Sequence, residues 1–433
     1  MVIEKLYSAY LENPVVCTDS RAITKNCIFF ALKGENFNGN SFAAAALQQG
    51  ASYAVVDEKE FEINDRCILT ADVLQTLQQL ANHHRRAMQI PFIAITGSNG
   101  KTTTKELVRN VLSKKHKTHA TKGNLNNHIG VPLTILSMPP GTEMAVIEMG
   151  ANHLDEIKLL CDIAEPDYGI ITNVGKAHLE GFGGFEGVKK GKGELYDFLA
   201  KKNGTVFLNR DNSHLVSMAD EKKIGKRITY GTSAGNTCTG ELLDTSPFLK
   251  LNWSYGENKG EVNSQLIGAY NFENILAAIC IGNYFGVTGN QIRSAIEEYV
   301  PDNSRSQVLV KGTNKIILDA YNANPTSVAA ALKNFAAMPD QNKIVLLGEM
   351  AELGDESARE HATILELIKE LHFSKVYLVG THFSLRGETT KEFTWALSAE
   401  QLIPLLKENN FRDSAILIKG SRSMKMEKVM EVF

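Results

Sequence analysis

The stretch that most constrains this chain is Phe92-Ile93-Ala94-Ile95-Thr96-Gly97-Ser98-Asn99-Gly100-Lys101-Thr102-Thr103-Thr104. Its first four residues are apolar and read as a buried strand. A glycine-bearing turn follows, then Lys101, a cluster of hydroxyls and a helical run from Lys105 to Leu112. Strand, turn and helix in that order make a phosphate-binding loop. The glycines let backbone N–H groups converge on phosphate oxygens, Lys101 adds a positive charge, and a threonine hydroxyl can hold Mg²⁺. The spacing is short, with Ser98 and Asn99 alone between Gly97 and Gly100 where four residues are usual. A chance Gly-Lys-Thr in a surface turn would lack the flanking strand and helix. Nucleotide phosphate is the expected ligand.

At 433 residues the chain exceeds one ordinary core, so two or three domains are expected. The residues are 43% apolar and 22% charged, with a formal net charge of -3, which argues against a dedicated nucleic-acid binder. No apolar run is long enough to span a bilayer. The N-terminus, Met1 to Tyr7, lacks the basic start and apolar core of a signal peptide. Cys17, Cys27, Cys67, Cys161, Cys238 and Cys280 are scattered without a CxxC pair, so free thiols and a cytoplasmic location are expected.

Before the phosphate loop, Cys27–Leu32 and Ala51–Val56 read as strands, Ser41–Gln49 and Val73–Met88 as helices. The polar turn Lys33 to Asn40, with Gly34, is a natural place for a polar ligand or an ordinary solvated turn. Asp19-Ser20-Arg21 is equally open. Beyond the loop helix, Asn124-Leu125-Asn126-Asn127 concentrates amide donors and acceptors that could line a groove or stabilise turns. Glu148 closes the strand Ala145–Ile147. Ligands gather at the carboxyl ends of strands in parallel α/β sheets, which makes Glu148 a Mg²⁺ ligand candidate. The strand Tyr168–Val174 leads into His178 at the same sheet edge. Lys189, Lys190 and Lys192 open a helix and by themselves read as a solvated face. Asn271 and Asn274 share one helix face. Pro301–Ser306 reads as a polar linker. Strands at Ile316–Asp319, Lys343–Gly348, Lys375–Gly380 and Ala415–Lys419 each run into a polar turn. The fold class is therefore α/β with three domains: a small N-terminal α/β domain (1–89), a central P-loop domain with a parallel sheet (90–301), and a C-terminal Rossmann-like domain (302–433).

With these motifs in place, the sequence resembles the Mur ligases of bacterial cell-wall synthesis over nearly its whole length. Thr-Gly-Ser-Asn-Gly-Lys-Thr matches the family's own short loop. Glu148-Met149-Gly150 and Asn173-Val174-Gly175-Lys176-Ala177-His178 look like its metal-binding positions. Asp319-Ala320-Tyr321-Asn322-Ala323-Asn324-Pro325, Gly348-Glu349-Met350-Ala351-Glu352-Leu353-Gly354 and Lys419-Gly420-Ser421-Arg422 resemble the branch that adds a dipeptide rather than one amino acid. The resemblance implies ATP and Mg²⁺ as cofactors, and UDP-N-acetylmuramoyl-tripeptide (UDP-MurNAc-tripeptide) and D-alanyl-D-alanine (D-Ala-D-Ala) as substrates of an amide ligase working through an acyl phosphate. A monomer, without nucleic-acid or membrane partners, is expected.

Carried over by position, Gly97, Ser98, Asn99, Gly100, Lys101, Thr102 and Thr103 would hold the phosphates. Thr102, Glu148, His178 and Lys192 would form metal sites, Lys192 as a carbamate, and Lys101, Glu148, His178 and Lys192 would be the catalytic set. Asn271 and Asn274 match an adenine-side motif, Arg305 the linker arginine that reaches the nucleotide, and Asp319 a ribose or linker contact. Ser20, Arg21 and Gly34 would meet the UDP-sugar. Asn126 and Asn127 fall to the substrate groove, and Tyr321, Asn322 and Asn324 to the reacting groups. One departure is Asn38-Gly39-Asn40, where the family often has Asp-Gly-His. Closure of the domains about a hinge at Pro301–Ser306 is expected, because acyl phosphates hydrolyse in water. Rival readings are a folate polyglutamate ligase, which lacks the N-terminal domain, a nucleotide-switched ATPase, and an inactive relative, which would have lost Lys101, Glu148 or His178.

Overall fold

Three sheets carry the chain in a computed structural model that describes residues 2–302, 304–383 and 393–433. The first sheet has four short parallel strands in the order Val16–Cys17, Ile28–Phe30, Tyr53–Val56 and Cys67–Leu69. The turn between Lys33 and Asn40 contains a small hairpin, Lys33–Gly34 against Phe37–Asn38. Asn40 is fully buried and donates from Nδ2 to Asp57 at 2.8 Å, while Asn38 donates to both oxygens of Glu58. The atypical Asn-Gly-Asn sequence thus ties this turn to the end of the neighbouring strand.

The helices Val2–Glu12 and Val73–Met88 connect that sheet to the central domain. Leu77, Leu80 and Ala81 are buried in one core with Val131, Ile135 and Ile157 of the central helices, so apolar burial holds this seam. Arg85 reaches across it, donating to the carbonyls of Ala164 and Glu165 and to Asp167, each at 2.8 Å. These satisfy carbonyls left open where the helix Glu156–Ala164 ends.

The central sheet has nine strands, seven of them parallel as expected, and adds two antiparallel ones at one edge. Thr118–Ala120, Met144–Glu148, Phe92–Thr96, Tyr168–Ile171, Thr205–Asn209 and Lys226–Gly231 lie parallel. Cys238–Asp244 pairs parallel with the last of these, but Lys250–Tyr255 and Asn258–Asn263 then fold back antiparallel. Short polar turns, unlike a helical crossover, permit such reversal. Phe92–Thr96 lies between Met144–Glu148 and Tyr168–Ile171, fully buried at all five positions. The strand expected to reach Val174 stops at Ile171 because the following backbone turns to bind the phosphate loop.

In the C-terminal domain the order is Gln307–Lys311, Asn314–Asp319, Ala415–Lys419, Lys343–Gly348, Lys375–Val379 and Phe393–Ala396. The first pair is antiparallel and the rest parallel, as in an open sheet with helices on both faces. All six cysteines are free. No helix of the described residues is long and apolar enough to cross a membrane.

Candidate active site

The phosphate loop is built as a rigid bracket. Gly97 (φ 143°) and Gly100 (φ 78°) occupy backbone conformations that suit glycine. A Cβ on Gly97 would stand 2.0 Å from Thr172 Oγ1, and one on Gly100 2.6 Å from Asn274 Oδ1. The residues after the Tyr168–Ile171 strand wrap the loop. Ser98 N donates to Asn173 O at 3.0 Å, Asn99 N to Asn173 Oδ1 at 3.0 Å, and Thr172 Oγ1 to Asn99 O at 2.6 Å. Ser98 Oγ accepts from Gly175 N at 2.9 Å. Asn173 lies inside a sequence motif, but this role is not legible there, because the bonds join positions more than seventy residues apart.

Lys101 begins the helix Lys101–Ser113, whose N-terminal N–H groups and dipole favour an anion. Its Nζ donates to Gly97 O at 2.7 Å and Ser98 O at 3.2 Å. Burial pulls its pKa down to about 8, with the Glu148 charge opposing and that of Arg305 assisting. An incoming phosphate would find this cation short of anionic partners.

Glu148 is 1% exposed at the end of its strand. Its Oε1 accepts from Asn126 Nδ2 at 2.8 Å and from Thr102 Oγ1 at 3.2 Å. Its Oε2 is buried and has no partner. An orphaned, buried carboxylate oxygen beside a threonine hydroxyl suits a hard divalent cation. Asn127 lines the same cavity but spends its Oδ1 on Ile129 N and Gly130 N, starting the helix Gly130–Leu136.

Lys192 is 1% exposed, and its Nζ donates to Ala151 O at 2.9 Å. Burial, helped by the nearby Lys101 charge, holds its pKa well below the ordinary lysine value. The solvated-face reading is therefore corrected for Lys192, while Lys190 is exposed. An ammonium or amine is a poor ligand for Mg²⁺, so Lys192 fits the proposed metal set only after conversion to a carboxylate. His178 has left-handed backbone (φ 53°), and its Nδ1 pairs with Glu352 of the C-terminal domain. That bond, above all, holds the Glu352 carboxyl below its usual range.

Asn271 and Asn274 are buried and share a face, but their amides meet each other: Asn274 Nδ2 donates to Asn271 Oδ1 at 2.8 Å. Asn274 Oδ1 accepts from Thr104 Oγ1 at 3.0 Å, and Asn271 Nδ2 donates to Ile267 O. These bonds brace the phosphate-loop helix, and both asparagines also line the cavity that the loop faces.

The C-terminal domain closes the other wall. Asn324 caps the helix Pro325–Ala337 and also donates to Asn99 Oδ1 at 2.7 Å, reaching the tip of the phosphate loop. Lys176 Nζ pairs with Glu360 at 2.6 Å, and Lys176 N donates to Thr326 Oγ1 at 3.1 Å. Asp319 accepts from Lys419 at 2.6 Å and from Ser306 N at 3.2 Å, which anchors the linker. Arg305 lies 3.8 Å above the Tyr321 ring. Asn303, within the expected hinge, lies outside the described residues.

One cavity of about 1250 Å³ collects these groups. Ser98 to Thr103, Glu148 and His178 line it from the central domain; Arg305, Asp319, Tyr321, Asn322 and Asn324 line it from the linker and C-terminal domain. Gly97 and Lys192 lie behind its wall. Ser20, Arg21 and Gly34 are not brought to it. Arg21 is held by Asp19 through two bonds of 2.9 and 2.8 Å on an exposed turn, and Gly34 lies under the Phe37 ring.

A three-domain α/β protein whose phosphate loop faces a second domain across a polar cleft defines a nucleotide-dependent enzyme that brings a further substrate to the γ-phosphate. Family models match consecutively: the Mur ligase family catalytic domain over residues 15–93, the Mur ligase middle domain over 95–282, and the Mur ligase glutamate ligase domain over 304–422. The chain belongs to the Mur ligase family. It is 33% identical over 429 residues to UDP-N-acetylmuramoyl-tripeptide--D-alanyl-D-alanine ligase of Bacillus subtilis, covering 96% of this chain and 92% of that one. Its structure resembles MurF of Acinetobacter baumannii (TM-score 0.86, 30% identity, 96% of this chain and 92% of that one). It also resembles the MurF ligase of Thermotoga maritima in complex with ADP (TM-score 0.85, 26% identity, 97% and 96%).

Proposed function

We propose that this chain joins D-Ala-D-Ala to UDP-MurNAc-tripeptide at the expense of ATP, as a cytoplasmic monomer supplying peptidoglycan precursor. The observation that carries the reading is the shared cavity, in which the phosphate loop faces Tyr321, Asn322 and Asn324 of the domain whose motifs match the dipeptide-adding branch. The three domains, 1–89, 90–301 and 302–433, divide the work. The first holds the UDP-sugar through Ser20, Arg21 and the Gly34 turn, the second ATP, and the third the dipeptide.

A carboxylate is a poor acylating agent, so the terminal carboxylate of the tripeptide first attacks the γ-phosphorus of ATP and ADP departs. The amine of D-Ala-D-Ala then adds to the carbonyl carbon of the acyl phosphate. Collapse of the tetrahedral adduct expels inorganic phosphate, and the nitrogen loses a proton. The loop N–H groups and Lys101 offset charge on the transferring phosphoryl group. Mg²⁺ would be held by Thr102 and Glu148, with His178 and carbamylated Lys192 completing metal positions, and would neutralise phosphate charge. Lys192 suits carbamylation because burial lowers the pKa of its amine, which in its neutral form adds to CO₂ with release of one proton. Arg305, beside Lys101, reaches the nucleotide as the C-terminal domain closes about 301–306.

The test is phosphate release from Mg-ATP and UDP-MurNAc-tripeptide with no acceptor, with D-Ala and with D-Ala-D-Ala. Turnover confined to the dipeptide, and lost in Lys101→Ala, is the expected result. Turnover regardless of acceptor would indicate an ATPase or switch. Silence in all three would redirect the search to folate and other carboxylates.

A further inference from the structure

The acceptor dipeptide in the proposed reaction carries a free carboxylate, and this inference rests on that reading. Among the described residues, the Lys and Arg side chains that line the cavity are Lys101, Arg305, Lys419 and Arg422. Lys101 and Lys419 are already bonded, and Arg305 stands near Lys101 and over the Tyr321 ring with a buried Nε that has no partner. Lys101 sits in the phosphate loop on the Gly97 and Ser98 carbonyls. Arg305 adds its charge to the Lys101 environment, on the nucleotide side. Lys419 is 2% exposed and held by Asp319 and Asn322 O at 2.6 and 3.2 Å.

Arg422 differs from all of them. Its side chain is 69% exposed, and its carboxylate neighbour, Glu427, stands off at 3.8 Å. Its guanidinium lies 5.7 Å from the centroid of the Tyr321 ring, the same ring that Arg305 covers at 3.8 Å. Tyr321 therefore positions one arginine towards the nucleotide side and another at the C-terminal domain's edge of the same cavity. Arg422 also lies three residues beyond the end of the strand Ala415–Lys419, at the sheet edge where ligands gather in open α/β sheets. A guanidinium presents a planar fork that matches a carboxylate with two parallel N–H···O bonds and is charged at every working pH.

The geometry points to Arg422 as the residue that grips the C-terminal carboxylate of the acceptor dipeptide and so selects a free acid. The tripeptide substrate also bears carboxylates, and the experiment separates the two sources. Wild type, Arg422→Gln and Arg422→Lys are assayed at saturating Mg-ATP and UDP-MurNAc-tripeptide, with D-Ala-D-Ala or D-alanyl-D-alaninamide as acceptor. Wild type should prefer the acid by about 10- to 100-fold in kcat/KM, the range for a charge-assisted bond. Arg422→Gln should raise KM for the acid by a similar factor, erase the preference for acid over amide, and leave KM for ATP and the UDP-tripeptide unchanged. Arg422→Lys should fall between, because it keeps the charge and loses the fork. Equal use of acid and amide by wild type, an unchanged KM for the acid in Arg422→Gln, or a rise confined to KM for the UDP-tripeptide would each overturn the assignment. Absence of turnover by wild type with either acceptor would instead remove the proposed function on which it stands.

Discussion

The two seams of the central domain differ in their balance of apolar and polar contact. Towards the N-terminal domain, Leu77, Leu80 and Ala81 share a core with Val131, Ile135 and Ile157. Towards the C-terminal domain the same cluster takes in Leu179, Phe182, Ala323 and Leu353, but polar pairs join it: Asn99 meets Asn324, Lys176 meets Glu360 and Thr326, and His178 meets Glu352. Apolar burial is non-directional and cannot be replaced by water, so the first seam resists opening. Polar pairs exchange for water at small net cost, so the second can part and re-form. The phosphate loop lies on the exchangeable seam, where a substrate must enter and water must afterwards be excluded.

The largest expected effect breaks the apolar seam. Leu80 is fully buried, and Leu80→Ala should lower unfolding free energy by about 2–5 kcal/mol in a urea titration, through lost burial and a residual cavity. KM for ATP at a temperature where the variant is folded should not change; a change would mean that this seam also moves during turnover. Lys176→Ala acts on the other seam. Among the described residues it leaves the buried Glu360 with Arg359 at 3.3 Å as its remaining cation, so a loss of about 1–3 kcal/mol is expected. Its sharper readout is X-ray scattering with and without ATP analogue and substrates. Wild type should contract on binding, and the variant should be more extended when free. Identical wild-type profiles in the two states would refute the hinge at 301–306.

The smallest effect concerns Lys101 itself. Its folded pKa of about 8 is below the ordinary lysine value, so the folded protein holds fewer protons than the unfolded chain between those two pH values. Stability from this group therefore rises with pH across that window and is lowest below it, where the charged form is kept in the buried site. Bound phosphates favour the ammonium. Nucleotide binding should take up to one proton above pH of about 8, and Kd should rise by up to about tenfold per pH unit there. Calorimetry in two buffers of different ionisation enthalpy measures that uptake directly. Lys101→Met should abolish it.

Much of the site was legible because it is local. The order of Phe92–Ile95, the glycines, Lys101 and the helix gives the phosphate loop its chemistry within thirteen residues, and Glu148 and His178 follow as strand-end residues by the same rule. Asn271 and Asn274 were read correctly as one face, but their partners could not be, since Thr104 lies 170 positions from Asn274. The antiparallel strands Lys250–Tyr255 and Asn258–Asn263 were missed although Leu251, Trp253 and Tyr255 alternate with polar residues and Gly256-Glu257 suits a two-residue hairpin turn. Lys192 read alone as a solvated lysine, and no local pattern distinguishes it from Lys190. Its burial comes from the packing of its helix Phe185–Lys202 against the Glu156–Ala164 segment.

By itself the sequence determined the α/β class, the phosphate-binding chemistry and the family, since each depends on residue types at short, fixed spacing. Tertiary structure alone decided that Glu148 keeps an oxygen free, that Lys192 is buried and that Asn324 touches Asn99 across 225 positions. It also left Arg422 facing the cavity with only a loose partner. Those outcomes depend on which surfaces exclude water and which charges are left without partners, and both are settled only when distant segments pack together.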